Sequence, residues 1–338
     1  MTYLVGGVAM PFPIMVGAGA CKTPASVLPY MIKGLPLGGV LTGSYTPDVR
    51  MGNNGVLSYP DDWQAFINAT FGLNAFGMPN MGCTQAASKL TALFAVARWF
   101  LPLIPSIAGF SVEDYVAGIK IFGALPYTAA VEINFGYSDA YERKTTPIAY
   151  DLLFIIQILE AMKKLSLQCP VWIKLSPYIT EEEREILSQQ WAQLDFSSVP
   201  TVREEFLAEV LHHIMTYRHF VRAVVFSNTL PNVIFRDNTG KPVTSPNDGK
   251  AGLSGAIIKP ISQKLVKQAR KILPDTIDVI GCGGILTGDD AVDYFHAGAS
   301  GIQCTSGPFW YGDGPRFFAS LVNESPRLQE YLTQQDHH

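Results

Sequence analysis

The segment richest in chemistry lies near the C-terminus. Val279-Ile-Gly-Cys-Gly-Gly-Ile285 reads as a strand ending in a glycine pair, Gly283 and Gly284, and a second strand at 301–304 runs into Thr305, Ser306 and Gly307. Glycines at a strand end let backbone N–H groups approach an anion with no Cβ in the way, and adjoining hydroxyls add donors. Gly252-Leu-Ser-Gly255 stands just before a helical stretch at 256–273, so Ser254 and Gly255 offer a third set. Three such loops converging on one phosphate suggest a phosphorylated cofactor held by its tail. Lys174 lies in the apolar run Val171-Trp-Ile-Lys-Leu175, where an ammonium is costly to bury unless paired. The histidines offer less: His212 and His213 fall on a helix, His296 near a helix end, and two more at the tail. The five cysteines contain no C-x-x-C pair, so neither a metal site nor a disulfide framework is read from them.

These groups need a frame that brings strand ends together. Short apolar runs at 14–17, 38–42, 106–110, 129–134, 171–175, 223–227, 278–281 and 301–304 predict strands, most of them apolar throughout, as in a parallel sheet buried on both faces. Helical stretches separate them. Thr23-Pro24 reads as a helix start, Ser111 with Asp114 and Thr180 with Glu183 as capping boxes, and Asp151 opens a helix with Leu152, Ile155, Ile156 and Leu159 on one face. A further helix is expected at 201–217. Eight strands, each followed by a helix, predict a (β/α)8 barrel over a single domain, 1–338. The rival is a doubly wound sheet. The barrel is preferred because loops with glycine and polar residues follow nearly every strand, and a barrel's site is built from such loops at the strands' C-terminal ends. The glycine-rich loops then belong to the last two units, where barrels often bind phosphate. Three segments stand outside the repeat: a short hairpin at 3–13 plugging the barrel floor, a long excursion at 45–74, and a polar hairpin at 231–250.

Composition narrows the function class. Of 338 residues, 48% are hydrophobic and only 16% charged, so much surface must be apolar or covered by a partner, and an oligomer is expected. The net charge of −4 with no Lys/Arg run gives no field for nucleic acid. Residues 1–10 lack the basic and apolar regions of a signal peptide. The most apolar stretch, 90–110, is broken by Arg98, Pro102 and Pro105, so a helix followed by a buried strand is expected rather than a membrane span. A reducing cytoplasm fits the cysteines.

In order along nearly the whole chain, several motifs resemble the dihydroorotate dehydrogenase family, a group of FMN-dependent barrels. They are Val16-Gly-Ala-Gly19, Leu41-Thr-Gly-Ser-Tyr-Thr46, Arg50-Met-Gly-Asn53, Asn74-Ala-Phe-Gly-Met-Pro-Asn80, Glu132-Ile-Asn134, Trp172-Ile-Lys-Leu-Ser-Pro177, Ser227-Asn-Thr229 and the glycine-rich segments above. Ala149-Tyr150-Asp151 is more similar to the soluble class 1 branch. The resemblance implies that FMN is held along Ala18, Gly19, Thr42, Ser44 and Ser227. Asn134 and Lys174 reach its ring, and Ser254, Gly255, Gly283, Gly284, Thr305 and Ser306 hold its phosphate. A cation such as Lys174 near the ring would stabilise the reduced flavin. The substrate would face Asn74, Gly77, Met78, Asn134, Asp139, Asn228 and Thr229; the asparagine amides offer both donor and acceptor atoms and so match a cyclic imide. A homodimer and an iron–sulfur electron-transfer subunit are the partners it implies.

The departures from the family carry their own expectations. The family's proton-transfer loop reads roughly Asn-Leu-Ser-Cys-Pro-Asn; here it is Asn134-Phe-Gly-Tyr-Ser-Asp139. Tyr137 stands at the base position, a one-place shift would put Ser138 there, and Asp139 replaces Asn. Gly43 stands where the family commonly has lysine. One cation fewer and one carboxylate more predict a pocket less welcoming to dihydroorotate and better suited to a neutral or amine-bearing ring. Tyrosine, with an unperturbed pKa near 10, is a natural general acid. The leading expectation is therefore an FMN-dependent oxidoreductase acting on a ring CH–CH or C=C bond other than that of dihydroorotate. The alternatives are a genuine dihydroorotate dehydrogenase with Tyr137 or Ser138 as base, and a non-catalytic flavin-binding barrel with a structural or regulatory role.

Overall fold

The computed structural model describes residues 2–97, 99–137 and 146–335. In chain order its strands begin with β1 (Tyr3–Val5), β2 (Val8–Met10), β3 (Ile14–Val16), β4 (Gly39–Tyr45), β5 (Ser58–Tyr59) and β6 (Gly72–Asn74). There follow β7 (Leu103–Ile107), β8 (Val131–Asn134), β9 (Val171–Leu175), β10 (Leu194–Asp195) and β11 (Val221–Phe226). The last are β12 (Leu230–Phe235), β13 (Ala251–Ser254), β14 (Asp278–Cys282) and β15 (Gly301–Cys304). Eight of them close a parallel barrel in the order β11-β14-β15-β3-β4-β7-β8-β9, with helices between them. The fold is the (β/α)8 barrel.

The barrel interior explains the apolar runs. Met15, Leu41, Ile104, Trp172, Val225 and Ile280 pack inward against Val5, Val8 and Met10 of the β1–β2 hairpin, which plugs the floor as expected. The plug is pinned by two bonds: Trp172 Nε1 donates to the Gly6 carbonyl at 2.9 Å, and the Gly6 N–H donates to Asp278 Oδ2 at 2.6 Å. Outside the barrel, the helices start where the caps stand. Ser111 and Asp114 form a capping box on Val112–Gly123, Thr180 and Glu183 on Glu181–Gln190, and Asp151 caps Leu152–Lys163.

The third barrel strand starts three residues earlier than the sequence suggested, at Leu103, and runs through Pro105. Pro105 is tolerated because β4 shifts register against β7 between Leu41 and Ser44. At such a bulge a missing N–H removes no ladder bond. The helix expected at 201–217 is Phe206–Met215, because the Val202 N–H is held by the Ile179 carbonyl at 2.9 Å and the chain stays extended until Arg203.

The excursions outside the eight units build a second sheet, antiparallel, in the order β10-β12-β13-β6-β5. This corrects the reading of 252–255 as a loop: β13 pairs with β6, Gly252 opposite Asn74 and Ser254 opposite Gly72. The helix after it is a short 3-10 turn at Ala256–Ile258 followed by the α-helix Lys259–Ile272, with Pro260 in its first turn where no N–H is needed. The small sheet carries Asn74 to the cavity described next.

Candidate active site

A cavity is lined by the ends of β4, β8, β9, β11, β14 and β15 and by β6 and the residues after it. Its floor is a chain of buried and half-buried polar side chains. Lys174 Nζ donates to Gln303 Oε1 at 3.0 Å, and Gln303 Nε2 donates to Glu132 Oε2 at 2.8 Å. Ser106 Oγ donates to Glu132 Oε1 at 3.2 Å and shares a 2.9 Å hydrogen bond with Ser44 Oγ. Asn134 Nδ2 donates to Ser44 Oγ at 3.0 Å, and Asn228 Nδ2 donates to Asn134 Oδ1 at 2.9 Å. Seven side chains thus connect one wall of the cavity to the other.

The chain makes the buried ammonium tolerable. Burial by itself would lower the Lys174 pKa, but attraction from Cys282 and Glu132 outweighs it, and the net direction is upward. Burial likewise pushes the Cys282 thiol up, against the opposing pull of the Lys174 ammonium. Glu132 is the carboxyl side chain joined to Lys174 through Gln303.

At the opposite end, the β14 and β15 loops form a cradle. Gly283 and Gly284 both have positive φ, +118° and +66°. A Cβ on Gly284 would come within 2.7 Å of the Gly255 carbonyl oxygen and within 2.7 Å of Lys259 Cβ. A side chain there would clash, and Gly283 and Gly284 line the cavity together with Thr305 and Ser306. Thr305 Oγ1 donates to the Ala18 carbonyl at 3.4 Å, which ties the β15 and β3 loops together.

Most residues singled out in the sequence line this one cavity. Ala18, Gly19, Ser44, Lys174 and Ser227 lie along it, with Ser254, Gly283, Gly284, Thr305 and Ser306 towards the cradle. Asn74, Gly77, Met78, Asn134, Tyr137, Asn228 and Thr229 form the other wall. Two residues do not. Thr42 is fully buried behind the wall: its Oγ1 accepts from the Ser106 N–H at 3.1 Å and donates to the Gly43 carbonyl at 3.0 Å, stitching the β4–β7 bulge. Gly255 is not among the lining residues; its φ is +100°, and a Cβ there would meet Phe71 Cα and the Thr70 carbonyl at 2.8 Å. Cys83, which could have approached the pocket, is buried at the start of the helix Cys83–Val96, where burial pushes its thiol up to about 12. Ser138 and Asp139 lie outside the described residues.

Tyr137 enters the cavity held from behind. Arg50 Nη2 donates to its hydroxyl at 3.4 Å, its ring meets Phe110 edge-on at 5.8 Å, and the Arg50 guanidinium lies 4.7 Å from the Phe110 ring.

Several lining and supporting residues had been passed over. Glu132 and Gln303 are polar residues inside buried strands, the same signal that exposed Lys174, and it was readable for both. Lys22 carried no such signal: it is a lone lysine beyond the first strand's loop. It lies in the cavity with its ammonium 3.5 Å from the Phe76 ring centroid and 4.7 Å from that of Phe309. This changes the charge expected of the pocket. Among the described lining residues there are two cations, Lys22 and Lys174, and no carboxylate. The pocket does not lack the cation absent at Gly43.

Against known families, the model for dihydroorotate dehydrogenase matches residues 2–210 and 199–327, nearly the whole length. The chain belongs to the dihydroorotate dehydrogenase family. Among curated relatives, the catalytic subunit of dihydroorotate dehydrogenase B (NAD(+)) of Endomicrobium trichonymphae is 30% identical over 270 residues, 80% of this chain and 74% of the relative. The corresponding subunit of Anoxybacillus flavithermus is 27% identical over 262 residues, 77% and 71% of the two chains. Two solved structures of DHODH from Eimeria tenella, one in complex with ferulenol and one ligand-free, share the fold. Their TM-scores are 0.70 and 0.72 at 17% and 18% identity; they cover 99% of this chain and 85% and 88% of theirs. The chain is thus an oxidoreductase of a flavin-dependent family. Among its described residues no helix is long and apolar enough to cross a membrane, and no group of three or more His, Cys, Asp or Glu is placed to hold a metal.

Proposed function

We propose that this protein, a single barrel domain over 1–338, binds FMN and moves a hydride between FMN and a ring CH–CH or C=C bond of a small cyclic amide other than dihydroorotate. The observation that carries this reading is the placing of Tyr137 in the same cavity as Lys174, Asn74, Asn134 and Asn228. The residues present fit FMN. The Gly283–Gly284 cradle with Thr305, Ser306 and Ser254 would take its phosphate, and Ala18, Gly19 and Ser44 would lie along it. The buried Lys174 ammonium would stand by the ring. When bound, FMN supplies the hydride acceptor or donor.

The chain's own side chains orient the substrate and move the proton. Asn74 is steered by its Nδ2 bond to the Gly252 carbonyl at 3.2 Å, and Asn134 and Asn228 are locked to each other. All three can present amide donors and acceptors to a cyclic amide, beside Thr229. Tyr137, its hydroxyl oxygen fixed by Arg50, would donate the proton to the ring carbon opposite the hydride, or take it in the reverse direction. Ser138, Asp139, Gly77 and Met78 complete the proposed substrate side.

A second reading, a genuine dihydroorotate dehydrogenase, is favoured by Lys22, which returns a cation to a pocket that would otherwise repel a carboxylate. Because the curated relatives are named catalytic subunits, an electron-transfer subunit belongs to the proposal, as do a homodimer and a cytoplasmic location. The test is anaerobic: the FMN-loaded protein is mixed with dihydroorotate and with neutral dihydropyrimidines, and flavin bleaching is followed. Fast bleaching by a neutral ring and slow bleaching by dihydroorotate supports the leading reading. Fast bleaching by dihydroorotate replaces it with the second. No bleaching by either favours a non-catalytic barrel.

A further inference from the structure

The turn after β14 is held from outside the cavity by one helix, Gly288–His296. Three consecutive residues of that turn, Gly283, Gly284 and Ile285, line the cavity. Among the described residues their backbone N–H groups meet no hydrogen-bond acceptor. Gly284 and Ile285 are buried, where a backbone donor without a partner is rare. The carbonyl side of the turn is the opposite case. The Tyr294 hydroxyl, from the helix, donates to the Gly283 carbonyl at 2.7 Å. Tyr294 is fully buried and does not line the cavity. Its ring reaches that carbonyl by packing on β14 at a glycine: a Cβ on Gly281 would come within 2.3 Å of Tyr294 Cδ1. Burial pushes the Tyr294 pKa well above the usual tyrosine value, so the hydroxyl keeps its proton and stays a donor. One turn earlier on the same helix, Asp290 Oδ2 accepts from the N–H groups of Leu286 at 3.0 Å and Thr287 at 2.8 Å, while Asp290 Oδ1 takes the Lys259 ammonium. The helix therefore grips the turn at both ends and leaves the three N–H groups between them unpaired.

In a trans peptide the C=O of one residue and the N–H of the next point in opposite directions. The bond between Gly283 and Gly284 is trans. Drawing the Gly283 carbonyl towards Tyr294 thus turns the Gly284 N–H away from the helix and towards the cavity. We propose that Tyr294 is a positioning residue for the cofactor phosphate. Its hydroxyl sets the Gly283–Gly284 peptide so that the Gly284 N–H donates to the phosphate, and the site thereby prefers a phosphorylated flavin to the same flavin without its phosphate. This deepens the cofactor part of the reading given above and rests on it.

The flavin-free protein is titrated with FMN and, separately, with riboflavin, and binding is read from quenching of flavin fluorescence. The unmodified protein is expected to bind FMN more tightly than riboflavin by about 100-fold or more. Tyr294→Phe removes only the hydroxyl. It should weaken FMN binding by about 10- to 100-fold while riboflavin affinity stays within about twofold. A loss that falls equally on both flavins overturns the proposal, because it makes Tyr294 a support of the barrel alone. An FMN preference that survives the substitution also overturns it and leaves the cradle in place. If the unmodified protein binds both flavins equally, the cradle holds no phosphate, and the cofactor reading falls together with the proposal. A second measurement needs no variant. In the unmodified protein, hydrogen exchange of the amides at 283–287 should slow on adding FMN and not on adding riboflavin. Equal exchange with the two flavins overturns the donation from Gly284 even where Tyr294→Phe fails to fold.

Discussion

At the β14–β15 end of the cavity the lining is backbone: Gly283 and Gly284 sit at positive φ, Gly283 packed against Ser262 and Ile258 and Gly284 against Gly255 and Lys259. At the β4–β8 end they are made by side chains on longer levers, with Tyr137 braced by Arg50 and Phe110 and Lys22 laid over Phe76 and Phe309. A backbone cradle fits one shape, a phosphate, and admits almost no substitution. A wall of levers can be rebuilt one residue at a time without disturbing the barrel. The two ends therefore differ in what they can vary: the cofactor end is fixed by geometry, and the substrate end can change chemistry within the same fold.

The harshest way to break the comparison is Gly284→Glu. The new side chain has no room beside the Gly255 carbonyl and Lys259, adopts a φ of +66° that disfavours it, and brings negative charge to the cradle. Purified Gly284→Glu is expected to carry no flavin after incubation with FMN, while its circular dichroism remains that of a barrel. Full FMN content in this variant would mean that the phosphate sits elsewhere.

That asymmetry also decides what could be read from the sequence. The barrel was legible because strands buried on both faces write continuous apolar runs, and caps such as Ser111 and Thr180 mark helix starts at fixed spacing. The cradle was legible because glycines clustered at two successive strand ends have few other uses. Thr42 was misplaced because a residue in a recognisable motif gives no sign of which way it faces once its strand bulges; the register shift at Leu41–Ser44 turns it into the wall. Lys22 was invisible for a different reason. Its place depends on a contact between two backbone segments, at Cys21 and Gly43, and no periodicity within either segment encodes that contact. The charge argument built on Gly43 counted residues along one strand, whereas the cavity counts them in space.

At the substrate end, Tyr137→Phe removes only a hydroxyl. With FMN bound, reduction of the flavin by its best substrate should slow by about 10²–10⁴-fold with flavin content unchanged, if that hydroxyl moves the proton. Rapid-mixing absorbance measures this step apart from product release. An unchanged rate hands the role to Ser138. Unchanged rates in both variants remove the loop from proton transfer and leave the substrate end defined by its amides and Lys22 alone.

The floor joins the two ends, and Glu132→Gln sharpens what it contributes. The substitution keeps the size of the side chain but removes the carboxyl group joined to Lys174 through Gln303, leaving the buried ammonium with Gln303 and the Cys282 sulfur. Breaking a buried pair in this way costs about 3 kcal/mol. Urea unfolding of the flavin-free protein should show that loss as a lower midpoint at pH 7. A loss well under 1 kcal/mol would mean that Lys174 finds its compensation elsewhere, with Cys282 the nearest candidate.

The smallest effect is expected from Thr42→Val, and it tests the boundary between wall and site. Valine matches threonine in shape and suits a strand. What is lost is Oγ1, which accepts from the Ser106 N–H and donates to the Gly43 carbonyl inside the β4–β7 bulge. Ser106 is fully buried, so its N–H would be left without an acceptor, at a cost of about 1–2 kcal/mol. Ser106 also bonds Ser44 and Glu132, so any shift would pass into the floor before it reached the cradle. Urea unfolding should therefore show a modest drop in midpoint with an unchanged slope, and FMN affinity should stay within about twofold of the unmodified protein, a difference under about 0.5 kcal/mol. A variant of unchanged stability with weakened FMN binding would reverse the assignment and return Thr42 to the cofactor, as its motif first suggested.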